Sequence, residues 1–236
     1  MSGRWMYVAM FLAGTQIGAS GTGSPGRTPK EAPADREQIE AAFKLAQAAA
    51  AEYEIRVGEG DKALDLQREP VLRWSNPSVG VVHGNVFLWT RDGQPLIVGS
   101  LFKWFTPFTH MSHEFQSLTD ESIDCNFHGK PVWKTSEPGL QFSDLPKAPA
   151  LAATAEQRLL QIKQLAKDFA GSKKERDGTQ VELRLLPQPI YRYAVPKKGI
   201  LNGALFTLVH GTDPEIFVLI EARGETVPGG NTRPPG

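Results

Sequence analysis

The middle of this chain reappears 119 residues later without a gap. Leu64, Leu66, Pro70, Arg73, Pro77, Gly80, Gly84, Phe87, Pro95 and Ile97 recur as Leu183, Leu185, Pro189, Arg192, Pro196, Gly199, Gly203, Phe206, Pro214 and Ile216. Mismatches such as Val71/Ile190, Trp74/Tyr193 and Val86/Leu205 keep their chemical type. A repeat at fixed offset constrains architecture before any single residue does. It predicts two related units joined in tandem, with chemistry left open.

Hydrophobic residues make up 40% of the 236 and charged residues 22%, enough apolar matter for a packed core. Lys+Arg and Asp+Glu are both 26, so there is no basic excess to neutralise phosphates, and nucleic acid is not an expected partner. Lys173-Lys174 and Lys197-Lys198 read as solvated loop tips.

Arg4 precedes an apolar run at 5–13, followed by the small residues Gly18, Ala19 and Ser20. A charged start, a short apolar centre and small residues describe a secretory signal peptide over 1–20. The run of about nine residues is too short for a membrane span, which needs ~20. The sequence therefore predicts export to the periplasm or beyond, with no span once the leader is removed. Cys125 is the only cysteine. An exported chain with one thiol has no internal disulfide, and burial of that thiol is the simplest expectation.

Residues 21–34 read as a flexible linker. A first unit is expected over 35–150, a second over 151–223, and a disordered tail over 224–236. Each unit should open with a helix. The first has Asp35 as cap and Ile39, Phe43, Ala46 and Ala50 on one face. The second has Thr154 in the place of Asp35, Leu159, Ile162, Leu165 and Phe169 as its stripe, and Gly171 as its stop. Strand patterns follow. Residues 181–185 alternate, and Pro187 and Pro189 then bend the chain. Residues 85–104 read as a hairpin turning at Asp92-Gly93, and 204–221 as another turning at 210–214. Residues 216–220 are apolar on both faces and predict a covered central strand. Shorter strands are expected at 114–118, 123–127, 132–134 and 140–142. The predicted class is α+β: two tandem repeated units, each a helix packed on an antiparallel sheet. The second lacks a counterpart of 105–142, which predicts a C-terminus short of its last strands.

The sharpest chemical pattern is His110-x-x-His113-Glu114 with Cys125-x-x-His128, whose spacing resembles that of zinc ligands with Glu114 as proton acceptor. The order matches no zinc signature, none of the five recurs in the second unit, and a strand would point His110 and His113 to opposite faces. Polar strand and loop residues are the plainer reading. No nucleophile elbow surrounds Ser100, and Asp120, Glu121 and Asp124 read as loop acids. Gly80 and Gly84, like Gly199 and Gly203, lack the ending of a phosphate loop and predict turns at positive φ. Arg73-Trp74 and Arg192-Tyr193 are the repeated polar–aromatic pairs. They are candidate binding residues for anions or stacked rings, or arginine stems packed on a neighbour.

Several segments taken whole carry a resemblance: 70–77 with 84–104, 114–118, 165–169, 185–193, and 211–215 running to 220–223. Over about 60–223 the chain resembles an uncharacterised family of exported planctomycete-type bacterial proteins with no assigned activity. The resemblance implies export and a repeated architecture, and it supplies no catalytic residues and no cofactor. The leading expectation is a non-enzymatic module that binds a protein or small ligand in the groove between its units. The alternatives are a small metal-dependent hydrolase built on the histidine cluster, and a structural component of a cell envelope.

Overall fold

The computed structural model describes residues 3–11, 33–137, 140–175 and 177–224. In chain order the elements are β1 (Arg4–Phe11), α1 (Pro33–Ala51), β2 (Tyr53–Val57), β3 (Asp65–Leu66), β4 (Leu72–Ser75), β5 (Val81–Arg91), β6 (Gln94–Thr106), β7 (Met111–Ser117), β8 (Ile123–Phe127) and β9 (Lys130–Lys134). Then come β10 (Ser143–Asp144), α2 (Ala155–Ala166), β11 (Ser172–Lys174), β12 (Gln180–Glu182), β13 (Arg184–Leu185), β14 (Tyr191–Val195), β15 (Ile200–His210) and β16 (Asp213–Arg223).

Strands make up 49% and helices 17%, with two α-helices and several sheets, so the protein is mostly β. This corrects the expected α+β pair of helix-on-sheet units. The hairpin strands are long, and 105–142 adds further strands, so sheet outweighs helix. All ladders are antiparallel. One large sheet runs β3-β5-β6-β7 with β4 also on β5. The other runs β10-β1-β16-β15-β13 with β14 also on β15. A smaller sheet, β2-β8-β9, and the β11-β12 ribbon complete the set.

The hairpins form where turn chemistry allows them. Asp92 (φ 54°) and Gly93 (φ 79°) make the two-residue turn between β5 and β6, as the right-handed twist of a hairpin favours. Gly211 at φ 64° opens the turn between β15 and β16. Pairs 119 residues apart coincide in register. Leu72↔Val86 has its match in Tyr191↔Leu205, Trp74↔Gly84 in Tyr193↔Gly203, and Trp89↔Ile97 in Leu208↔Ile216. Gly80 and Gly199 take positive φ as expected, whereas Gly84 and Gly203 are strand glycines beneath a ring.

The two large sheets share one core. Trp74, Val86, Leu88, Val98 and Phe102 of the first meet Tyr193, Val195, Leu205, Phe217 and Leu219 of the second. The groove expected between units is therefore filled. Each hairpin tip is tied to the opposite sheet. Tyr191 Oη donates to Gly93 O at 3.1 Å, and Asn76 Nδ2 donates to Asp213 Oδ2 at 3.3 Å. Outside this core, α2 covers one sheet with Ile162, Leu165 and Ala166, and α1 with the β2-β8-β9 sheet covers the other with Ala46 and Ala50. Residues 216–220 are buried on both faces, as their composition predicts.

Some boundaries move. α1 starts at Pro33, two residues before the expected cap, because proline's fixed φ suits the first helical turn. α2 is capped by Thr154, whose Oγ1 accepts from Gln157 N at 3.2 Å, and it ends at Ala166, short of Gly171. Residues 181–185 are split at Leu183 between two sheets. Residues 140–142 form no strand. Residues 12–32, which hold the predicted leader end and most of the linker, lie outside the described residues, as do 225–236. No described helix is long and apolar enough to cross a membrane.

Candidate functional site

The fold separates His110, Glu114 and His128 from one another and from the pair His113 and Cys125. His110 precedes β7 and packs on Trp104 and Phe108, with ring centroids at 6.2 and 5.6 Å. His128 sits in the β8–β9 turn at φ 49°, with Nδ1 3.2 Å from Glu52 Oε2. Glu114 and His113 are neighbours on a strand and face opposite ways. Glu114 pairs with Ser100, on the side of the shared core. Its carboxyl is pushed up to about 7, by burial first and then by Asp213 and Glu215, against which Lys173 acts. Among the described residues no three His, Cys, Asp or Glu side chains converge as metal ligands.

His113 and Cys125 do meet. They line a recess of about 310 Å³ with Tyr53, Phe115, Val132 and Trp133. β2 supplies Tyr53, β7 supplies His113 and Phe115, β8 supplies Cys125, and β9 supplies Val132 and Trp133. Register puts Ile55, Cys125 and Trp133 in one row across the small sheet. Tyr53 stacks on Phe127 at 4.5 Å and meets Phe115 at 4.6 Å and Trp89 at 6.1 Å. This is an aromatic wall built at the seam between the small sheet and the edge of a large one.

The recess is uncharged at neutral pH. Burial pushes the Tyr53 hydroxyl up to about 12, with Cys125 adding to the rise. Burial and Asp124 push the Cys125 thiol up to about 11, and burial lowers His113. The Tyr53 hydroxyl and His113 Nδ1 lie 2.8 Å apart. His113 Nε2 and Trp89 Nε1 are sealed from solvent and have no hydrogen-bond partner among the described residues. Orphaned buried nitrogens are uncommon in folded proteins.

Trp74 and Tyr193 are buried in the shared core, while Arg73 and Arg192 are exposed. The Arg73 guanidinium lies over the Phe43 ring at 4.0 Å. At one end of the sheet interface a smaller cavity of about 160 Å³ remains, lined by Gln94, Thr119, Glu121, Lys198 and Arg223 among others. Lys198 Nζ donates to Gln94 Oε1 at 3.0 Å across it. Ligand-like spacing in the sequence singles out His113 and Cys125. Tyr53, Phe115 and Trp133 carried no sequence signal, because only non-local pairing brings them together.

Compared with protein-family models, curated proteins and solved structures, the chain finds no match.

Proposed function

We propose that this chain is an exported, non-enzymatic binding module, and that its ligand is a small planar aromatic molecule. The observation that carries the reading is the recess above Cys125. Its volume of about 310 Å³ is at the small end of ligand pockets, and its walls are aromatic with few polar groups. A buried thiol held near 11 is a poor nucleophile at neutral pH, which favours binding over covalent catalysis.

Export is supported by the first twenty residues and by the resemblance to exported planctomycete-type proteins. Duplication of the β3–β6 segment as β13–β16 is supported by the 119-residue offset and by pairings that keep it.

Calorimetric titration with p-cresol tests the binding reading. Saturable one-to-one binding is expected, weakened about tenfold or more by Trp133→Ala and by Phe115→Ala. Heats that never saturate, or binding indifferent to both changes, would remove the recess as the site.

A further inference from the structure

β1 takes an unexpected place. It pairs with β16 from Phe11↔Ile216 to Arg4↔Arg223. In the other large sheet β7, which directly follows its hairpin, pairs with β6 from Ser117↔Ile97 to Met111↔Lys103. Positions 97–103 lie 119 residues before 216–222. A strand from the far end of the chain thus fills, on β16, the position that the next strand fills on β6.

We propose that the outer edge of β16 is a strand-acceptor site. In the uncut chain β1 covers it. When residues 1–20 are removed, β16 of a second copy covers it and the protein becomes a two-fold dimer. The second step rests on the export reading above.

The edge needs a cover. Ile216, Phe217, Val218, Leu219, Ile220 and Ala222 are all buried, and a long apolar edge with unpaired backbone groups is a template for pairing. β16 is also self-complementary. An antiparallel register centred on Val218 sets Ile216 against Ile220 and Phe217 against Leu219. In β1, Tyr7 and Val8 face those same residues, Ile220 and Leu219. The same register sets Asp213 against Arg223, where β1 presents Arg4 and hence a like charge. The one like-charged pair, Glu215 with Glu221, brings its own cations: Lys173 Nζ lies 2.5 Å from Glu215 and an Arg223 nitrogen 2.5 Å from Glu221. Identical edges pairing antiparallel close on a two-fold axis and leave nothing to propagate. β1 is anchored by the Trp5 indole donating to Pro149 O at 2.8 Å and by Val8 in the shared core, and it meets β10 at only two pairs.

The test uses the full chain, folded intact, with a specific protease site written into residues 21–26. Before cutting, light scattering should give a monomer. After cutting and dilution the N-terminal fragment should leave and the mass of the body should double. Excess synthetic peptide of residues 3–12 should then return the body to a one-to-one peptide complex. A fragment that stays bound at nanomolar concentration would make β1 a permanent strand and overturn the proposal. So would a body that remains monomeric, or aggregates that the peptide does not dissolve. The export reading is tested apart from this, by the N-terminal mass of the chain recovered from a bacterial periplasm, and p-cresol binding reports on the recess alone.

Discussion

Trp74 and Tyr193 occupy equivalent places in the two large sheets and are held by different chemistry. Each ring lies over a strand glycine. A Cβ on Gly84 would stand 2.0 Å from Trp74, and one on Gly203 would stand 2.3 Å from Tyr193. Trp74 Nε1 donates to Ser100 Oγ at 3.1 Å, and the ring meets Phe102 at 5.1 Å, with Trp104 beyond it. The residues 119 positions on from Phe102 and Trp104 are Glu221 and Arg223. There the Tyr193 hydroxyl donates to the fully buried Glu221, whose other oxygen takes Arg223 Nε at 2.6 Å. One backbone slot accepts an aromatic stack or a buried charge network. What the slot requires is a ring over glycine, and everything beyond the ring can vary.

The largest effect should come from breaking the charged version halfway. Arg223→Met leaves Glu221 buried without its cation and should cost ~4 kcal/mol in denaturant unfolding. Converting the whole slot to the aromatic version, with Tyr193→Phe, Glu221→Phe and Arg223→Trp together, should recover most of that loss. If the triple variant is as damaged as the single one, the two slots are not interchangeable.

A second contrast is between the middle of β7 and the tip of the opposite hairpin, and it depends on pH. Glu114 ionises near 4.5 when unfolded and about 7 when folded, because burial and the carboxylates of the opposite hairpin oppose its charge. The folded chain therefore keeps a proton that the unfolded chain has lost. Stability should fall as pH rises from about 4.5 through 7, by up to ~3 kcal/mol. Glu114→Gln should flatten that slope, and an unchanged slope would place the titration elsewhere.

The smallest effect should be shared. Gly84→Ala and Gly203→Ala each force a ring aside and should each cost ~2 kcal/mol. A large cost at one and none at the other would break the equivalence of the two slots.

Local chemistry was legible in the sequence where it acts locally. Asp92-Gly93 announced its turn, the alanines at 46 and 50 announced the buried face of α1, and the apolar run at 216–220 announced a covered strand. Non-local pairing was not legible. Residues 4–11 are as apolar as a leader and as a strand, and composition alone does not choose between them. Residues 181–185 alternate as one strand does, yet Leu183 divides them between two sheets. One helix per unit led to an α+β expectation: the strands at 123–127 and 132–134 were legible, but not that they join Tyr53–Val57 in a separate sheet, because that pairing is non-local. Within the recess, ligand-like spacing singled out His113 and Cys125, and the fold joins them to aromatic residues in place of the other histidines.

The central structural claim is that both large sheets share one core. Equilibrium unfolding followed by amide exchange of β5 and β6 in the first sheet and of β15 and β16 in the second tests it most directly. A shared core predicts one coincident transition for both probes. Two separated transitions, with one sheet surviving the loss of the other, would contradict it.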